Sequence, residues 1–161
     1  KHVAPPLKAA SVFASAVEDA KKNNKRIFLH FGAPWCGWCH KLEDWMAKPE
    51  ITAILAKDFV DLKIDTERMD GGQKIFENYK EGSAKAGIPW FVFIDPAAVG
   101  GSGGGAIITS DATPPTGNTG FPAAKEEIAH FKAMLAKAKS SMTDSDIQTL
   151  VNSLVTPGES R

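Results

Sequence analysis

Cysteine is scarce in this chain of 161 residues, which contains only Cys36 and Cys39. Two cysteines separated by two residues cannot join distant parts of a fold, so the chain is not a disulfide-rich scaffold. A zinc site made of cysteines alone is excluded for the same reason, because it needs four of them. The pair therefore indicates a local chemical site.

Excess charge and long apolar runs are also missing. Nineteen Lys and Arg residues balance nineteen Asp and Glu residues, which gives no net field to attract nucleic acid or an anionic membrane. No apolar run approaches the roughly 20 residues that span a bilayer. We expect no nucleic-acid partner and no membrane insertion, and partners must be sought at a local site.

The first residue is Lys1 instead of Met, and no apolar signal segment follows it. This start is typical of a trimmed chain or of a mature exported protein whose signal peptide has been removed. We expect a periplasmic or otherwise exported protein, with a cytoplasmic one as the alternative.

Hydrophobic periodicity predicts helices and strands that alternate through the first half of the chain. The predicted helices cover 11–24, 36–48, a short stretch around 51–55, and 73–79, and the predicted strands cover 26–31, 59–64 and 90–94. A fourth strand at 106–109 follows the third without a helix between them, which predicts a mixed sheet with an antiparallel edge.

The second half of the chain is marked by loops and two helices. The glycine-rich run 100–105 lacks the Gly-Lys-Ser/Thr ending of a phosphate-binding loop, so we interpret it as a flexible hairpin connection. Residues 113–122 form a second predicted loop, followed by helices at 123–139 and after Thr143, which is the expected N-cap. We divide the chain into a domain at 1–139 with an N-terminal extension and a C-terminal helical extension at 140–161.

Cys36 is predicted to lie where a strand ends and a helix begins. Unpaired N–H groups and the positive end of the helix dipole favour a thiolate there, and such motifs lower a thiol pKa from about 8.5 to somewhere between about 3.5 and 7.5. Cys39 follows by about one helical turn on the same face. Cys36 is therefore the candidate nucleophile, and Cys39 is the candidate resolving thiol.

The segment also fits two other kinds of site in part. Cys36 to His40 also satisfies the Cys-x-x-Cys-His pattern of covalent haem attachment, but haem proteins of this kind are helical, and here a strand precedes the motif and further strands follow. A zinc site would need ligands such as His30, His40 or a carboxylate in addition to the two cysteines. We expect no bound cofactor and no metal ion beyond the redox-active disulfide.

The segment from Phe31 to Cys39, with the sequence Phe-Gly-Ala-Pro-Trp-Cys-Gly-Trp-Cys, resembles the active-site segment of the thioredoxin superfamily. Gly87-Ile88-Pro89 before an apolar strand resembles the cis-proline segment of that superfamily. The resemblance covers about residues 11–139 and is nearest to exported bacterial thioredoxin-like proteins. It implies an α/β thioredoxin fold, with a central mixed β-sheet flanked by helices and, in this chain, an extra C-terminal helix.

The resemblance also implies a substrate-binding surface around the cysteine pair. Its residues would be Trp35, Gly37, Trp38, Ile88 and Pro89, with a cis bond before Pro89 that faces the cysteines. The dipeptide between the cysteines differs from the Gly-Pro of thioredoxins, so the redox potential is not transferable. Trp38 is either a substrate platform or a partly packed helix residue.

A second departure concerns the buried acid of thioredoxins, whose position is taken here by His30. The lysine that usually partners this acid is matched in position by Asp61. We hypothesise that His30 accepts the proton of Cys39 while Asp61 holds the imidazole, since histidine titrates near neutral pH. The alternative is a core histidine without a catalytic role. Trp90 replaces a small residue after the cis-proline, which puts thioredoxin-like partner specificity in doubt.

These features predict a monomeric thiol-disulfide oxidoreductase that exchanges electrons with protein thiols and disulfides and with a separate redox partner. We expect a reductase rather than an oxidase. The alternatives are a disulfide oxidase or isomerase, and a non-catalytic module that binds a metal ion or a client protein.

Overall fold

The computed structural model of the chain describes residues 6–80, 86–98, 106–113 and 117–155. The helices are α1 (Ala9–Lys22), α2 (Gly37–Ala47), α3 (Pro49–Leu55), α4 (Gly72–Tyr79), α5 (Lys125–Ala138) and α6 (Asp144–Leu154), with a short 3-10 turn at Pro96–Ala98. The strands are β1 (Arg26–Gly32), β2 (Phe59–Asp65), β3 (Trp90–Asp95), β4 (Ala106–Ser110), β5 (Ala112–Thr113) and β6 (Gly117–Asn118). The glycine-rich segment 100–105 lies outside the described residues.

Four strands form a mixed sheet in the order β2-β1-β3-β4. β1 runs parallel to β2 and antiparallel to β3, and β4 is antiparallel to β3 at the edge. The mixed sheet and its antiparallel edge confirm the predicted α/β fold. Within the described ranges, the short strands β5 and β6 form a separate two-stranded sheet.

The two central strands are apolar along nearly their whole length because helices cover both faces of the sheet. β3 is buried from Trp90 to Ile94, and β1 is buried from Ile27 to Gly32. Alternate residues of each strand therefore enter different cores. Phe28, Phe91 and Phe93 pack with residues of α2, α3, α5 and α6. Ile27, Leu29 and Val92 pack with residues of α1 and α4.

The C-terminal helix α6 packs into the first of these cores through Ile147, Leu150, Val151 and Leu154. Thr143 caps it, and its hydroxyl accepts a hydrogen bond from the Asp146 N–H. The division of the chain between residues 139 and 140 stays a prediction.

The segment predicted as a plain loop at 113–122 contains part of a small hairpin. β5 and β6 pair antiparallel, with Ala112 opposite Asn118. Two-residue strands carry too few side chains to show a period of two, so the pattern of apolar residues gave no sign of them. No helix within the described ranges is long and apolar enough to cross a membrane.

Candidate active site

The cysteine pair lies at the junction of the central strand β1 and helix α2. Cys36 is the N-cap of α2, and its Sγ accepts a hydrogen bond from the Cys39 N–H at 3.2 Å. The two residues form a disulfide, with their Cα atoms 5.2 Å apart. When the disulfide is reduced, the same N–H and the positive end of the helix stabilise a thiolate at Cys36.

Both cysteines are almost completely buried, with 5% of Cys36 and 3% of Cys39 exposed. Cys39 packs against the last residue of β1, where a Cβ added to Gly32 would stand 3.2 Å from the Cys39 Cβ. The strand thus comes close to the second cysteine because residue 32 has no side chain. Its close packing against β1 suits the role of Cys39 as the resolving thiol.

The Gly87–Pro89 loop faces the disulfide from the start of β3. The peptide bond between Ile88 and Pro89 is cis. The Ile88 carbonyl oxygen lies 3.7 Å from the Cys36 Sγ. The structure therefore brings Ile88, Pro89 and the cysteines together, as the resemblance implies for a substrate site.

Two exposed tryptophans flank the pair. Trp35 is 69% exposed and donates its indole N–H to the Glu67 carboxylate, while Trp38 is 52% exposed. The Trp38 ring stacks on Phe121, with centroids 5.9 Å apart, and the Lys41 ammonium lies 4.8 Å from its centre. Gly37 is exposed between them. Large exposed aromatic surface beside a reactive group is typical of a binding site.

His30 and Asp61 are in contact, as their positions in the sequence predicted. The His30 Nε2 lies 2.5 Å from the Asp61 Oδ1. The His30 side chain is nearly buried, and the Asp61 side chain is 63% exposed. The contact therefore links a buried imidazole to a carboxylate that faces the solvent.

A cleft of about 340 Å³ reaches His30 from the solvent. Glu43 and Lys63, which form an ion pair with each other, line the cleft together with Asp61. Glu43 lies on α2 one turn after Cys39. Among the described residues, no hydrogen bond links His30 directly to Cys39, and Cys39 does not line this cleft.

The sequence did not indicate the contacts that His40 and Trp90 make. His40 contacts the Pro34 carbonyl oxygen through its Nε2 at 2.7 Å and lies near Glu43. Trp90 is 1% exposed and packs against Phe31 and Phe76. Trp90 therefore lies in the core below the loop and exposes almost no surface there, and a partner specificity that differs from that of thioredoxins stays a prediction.

Sequence reasoning missed two polar residues behind the Gly87–Pro89 loop, Asp111 and Asn118. Asn118 hydrogen-bonds to the loop, and its amide also donates to the Asp111 Oδ2 at 3.0 Å. Burial raises the pKa of Asp111 to about 7, although hydrogen bonds from Asn118 and Gly120 act in the opposite direction. The only signal in the sequence was Gly117-Asn118, which reads as an ordinary turn.

The described part of the chain contains no group of three or more His, Cys, Asp or Glu side chains placed to hold a metal ion. His30 is engaged with Asp61, and His40 with a backbone carbonyl.

The sequence model of the thioredoxin-like family matches residues 8–96, more than half of the chain. The chain belongs to this thioredoxin-like family. A solved structure from Xylella fastidiosa Temecula1, described as a disulphide isomerase, is similar to this thioredoxin-like chain with a TM-score of 0.52 and 25% identity. The similarity covers 68% of this chain and 80% of that one. The site has the two-cysteine chemistry of a thiol-disulfide oxidoreductase.

Two relatives are similar to this thioredoxin-like chain in sequence. Human spermatogenesis-associated protein 20 is 35% identical over 83 residues, which are 50% of this chain and 11% of that protein. The uncharacterized protein B0495.5 of Caenorhabditis elegans is 36% identical over 109 residues, 66% of this chain and 13% of that protein. The chain thus spans little more than a tenth of the length of these relatives.

Proposed function

We propose that the chain catalyses thiol-disulfide exchange on protein substrates and works as a reductase. One observation carries the proposal: a disulfide at the start of α2 has its first sulfur 3.7 Å from the carbonyl of a cis-proline loop. That arrangement puts the nucleophile beside backbone groups that an extended peptide can pair with.

In the reducing direction the chain starts as a dithiol. The Cys36 thiolate attacks one sulfur of a substrate disulfide, forms a mixed disulfide and releases the other substrate sulfur as a thiolate, which takes a proton from solvent. Cys39 then loses its proton and attacks the Cys36 sulfur. The Cys36–Cys39 disulfide forms, and the substrate leaves with two electrons gained. A separate dithiol partner must reduce the chain again.

His30 is proposed as the group that receives the Cys39 proton. Phe28 and His30 are on the same face of β1 as Gly32, and Gly32 touches Cys39. The cleft gives water access to His30, and Asp61 holds the imidazole in place through its contact with Nε2.

The function is tested by trapping. A Cys39→Ser variant should accumulate covalent mixed disulfides with an oxidised protein such as insulin, because the resolving thiol is missing. A Cys36→Ser variant is the matched control and should form none. Equal trapping by the two variants would contradict the assignment of nucleophile and resolving thiol.

The direction of electron flow is tested by the reduction potential of the Cys36–Cys39 couple. A potential near the about −270 mV of thioredoxin supports the reductase. A potential near about −120 mV would instead favour oxidation or isomerisation, the second candidate, which the likeness to the Xylella disulphide isomerase supports. Refolding of a scrambled disulfide protein distinguishes these last two.

The role of His30 is tested with a His30→Ala variant in a single-turnover assay. Resolution of the mixed disulfide should slow by about 10²-fold or more, and its rate should lose its dependence on pH between about pH 6 and 8. His130→Ala, which changes a histidine on α5, is the control. An unchanged rate across that range would remove His30 from the mechanism. Export of the protein stays a prediction.

A further inference from the structure

Among the described residues, the side chain that hydrogen-bonds to the backbone of the Gly87–Pro89 loop is that of Asn118. The Asn118 Oδ1 accepts from the Gly87 N–H at 2.9 Å, and its Nδ2 donates to the Gly87 carbonyl at 3.2 Å and the Pro89 carbonyl at 3.0 Å. One amide group therefore binds the backbone on both sides of Ile88.

The Ile88 backbone itself is left available. Among the described residues its N–H has no acceptor, and its carbonyl oxygen faces the Cys36 Sγ. An extended substrate segment needs a free donor and acceptor at this point if it is to pair with the loop as an added strand. Asn118 thus satisfies the neighbouring groups and keeps those of Ile88 free.

The orientation of the Asn118 amide is fixed by its surroundings. Its Nδ2 faces three acceptors, the two loop carbonyls and the Asp111 Oδ2 at 3.0 Å, and its two hydrogens are shared among them. A flipped amide would turn its oxygen toward three oxygens and lose every one of these bonds.

Asp111 anchors this arrangement to the sheet. It is fully buried, its N–H donates to the Phe91 carbonyl on β3, and its Oδ2 accepts from the Gly120 N–H at 3.1 Å. A buried carboxyl group with few partners is costly, since its Oδ1 has no hydrogen-bond partner among the described residues. Such a cost is typical of a group kept for its role in positioning others.

The segment 117–121 also reaches the other side of the cysteine pair. Asn118 binds the loop that faces Cys36, and three residues later Phe121 stacks on Trp38 of α2. One short segment is therefore in contact with both walls that flank the disulfide.

From this geometry we propose that Asn118, oriented by Asp111, is a positioning residue that sets the Ile88 backbone to receive the disulfide-bearing strand of a peptide substrate. The inference rests on the proposed function and adds to it the group that selects extended peptides over small disulfides. A small disulfide without a peptide backbone has nothing to pair with Ile88, so Asn118 matters for one class of substrate only.

The test compares two substrates in single-turnover reactions of the reduced protein. One is a linear peptide that carries a mixed disulfide on its only cysteine, and the other is 5,5′-dithiobis(2-nitrobenzoate). Asn118→Ala should lower the ratio of the peptide rate to the small-disulfide rate by about tenfold to hundredfold, because the loop is no longer held in register. We expect Asn118→Ala to change how the rate of the peptide reaction depends on the peptide concentration.

Asn152→Ala is the matched control, since Asn152 is an exposed amide on α6 that bonds only to its helix neighbour Gln148. It should keep the ratio of the native protein. Circular dichroism and thermal unfolding establish that each variant is folded, and Asn118→Ser, which keeps an acceptor for the Gly87 N–H, serves if the alanine variant does not fold.

Asp111→Ala provides an independent check, because it removes the acceptor that orients Asn118. Its selective loss should match that of Asn118→Ala, and the double variant should lose little more than either single one. An unchanged ratio in Asn118→Ala, or an equal loss on both substrates in a folded variant, overturns the inference alone. Failure of the native protein to react with either disulfide overturns the proposed function and the inference with it.

Discussion

At the scale of single residues, the buried carboxyl group of Asp111 should leave a pH signature on stability. Burial raises its pKa from 3.8 to about 7, so the folded chain keeps a proton that the unfolded chain has released. As the pH rises from about 4 to 7, stability falls because the folded state must give up this proton at a cost of about 4 kcal/mol in total.

We therefore expect Asp111→Asn to lose this dependence. The neutral amide keeps an oxygen that accepts from Asn118 and Gly120, and it has no proton to release. Urea unfolding at about pH 5 and 8 should show the variant gaining stability relative to the native protein as the pH rises. Asp44→Asn, at an exposed position on α2, is the control, and a parallel pH dependence in native protein and Asp111→Asn would contradict the argument.

Residues differ in how much of their role the sequence can reveal. The placement of Cys36 and Cys39 follows from local facts, a strand that ends and a helix that begins, and the spacing alone brings their sulfurs together. The contact of His30 with Asp61 also followed from position, because neighbouring parallel strands carry them. Asn118 and Phe121 could not be found in this way, since their partners are distant in sequence.

At the scale of elements, the join between β2 and α4 depends on a close approach of two backbones. A Cβ added to Gly72, the first residue of α4, would stand 2.3 Å from the Asp65 carbonyl oxygen at the end of β2. Real side chains do not come so close to a backbone oxygen. Any side chain at residue 72 therefore requires the start of α4 or the end of β2 to shift.

Gly72→Ala should accordingly destabilise the protein by about 2 kcal/mol, because the strain of displacing the helix exceeds the roughly 1 kcal/mol by which alanine favours a helix over glycine. The midpoint of urea unfolding measures the effect. Lys74→Ala, at an exposed position of the same helix, is the control and should change stability by less than about 0.5 kcal/mol. A neutral or stabilising Gly72→Ala would show that the helix shifts without cost.

The long helices and strands could be predicted from the sequence, and the two-residue strands could not. The apolar runs of β1 and β3 and the helical period of α5 are long enough to identify each element from its own residues. Asn118 of the β5–β6 hairpin hydrogen-bonds to Asp111 and to the Gly87–Pro89 loop, which is about 30 residues away in the sequence. A local sequence pattern does not reveal contacts with residues so far away.

At the scale of the whole molecule, one buried carboxylate fastens the C-terminal helix to the rest of the fold. Asp58, just before β2, accepts hydrogen bonds from the N–H groups of Ser140, Ser141 and Met142 and from both serine hydroxyls. Ser140, Ser141 and Met142 lie between α5 and α6, more than 80 positions after Asp58 in the sequence. The contact holds the loop where α6 turns back into the core.

The hydrogen bonds outweigh the cost of burial at this carboxylate. Burial by itself raises the pKa of Asp58, but the bonds from Ser141, Met142 and Ser140 together bring it below its usual value of 3.8. The stability that the Asp58 carboxylate contributes is therefore fully present above about pH 4. It is lost as the pH falls further, because the unfolded chain then binds a proton at this group more readily than the folded chain does.

Asp58→Ala should destabilise the protein by about 3 kcal/mol at neutral pH, since it removes the charged acceptor of three N–H groups, of which the one of Met142 is buried. The difference from the native protein should shrink below about pH 4, where the native carboxylate loses its advantage. Urea unfolding at about pH 7 and 3 measures both effects, with Asp44→Ala as the exposed control. A difference that stayed constant with pH would mean that packing of the side chain, and not its charge-assisted hydrogen bonds, attaches α6 to the thioredoxin-like core.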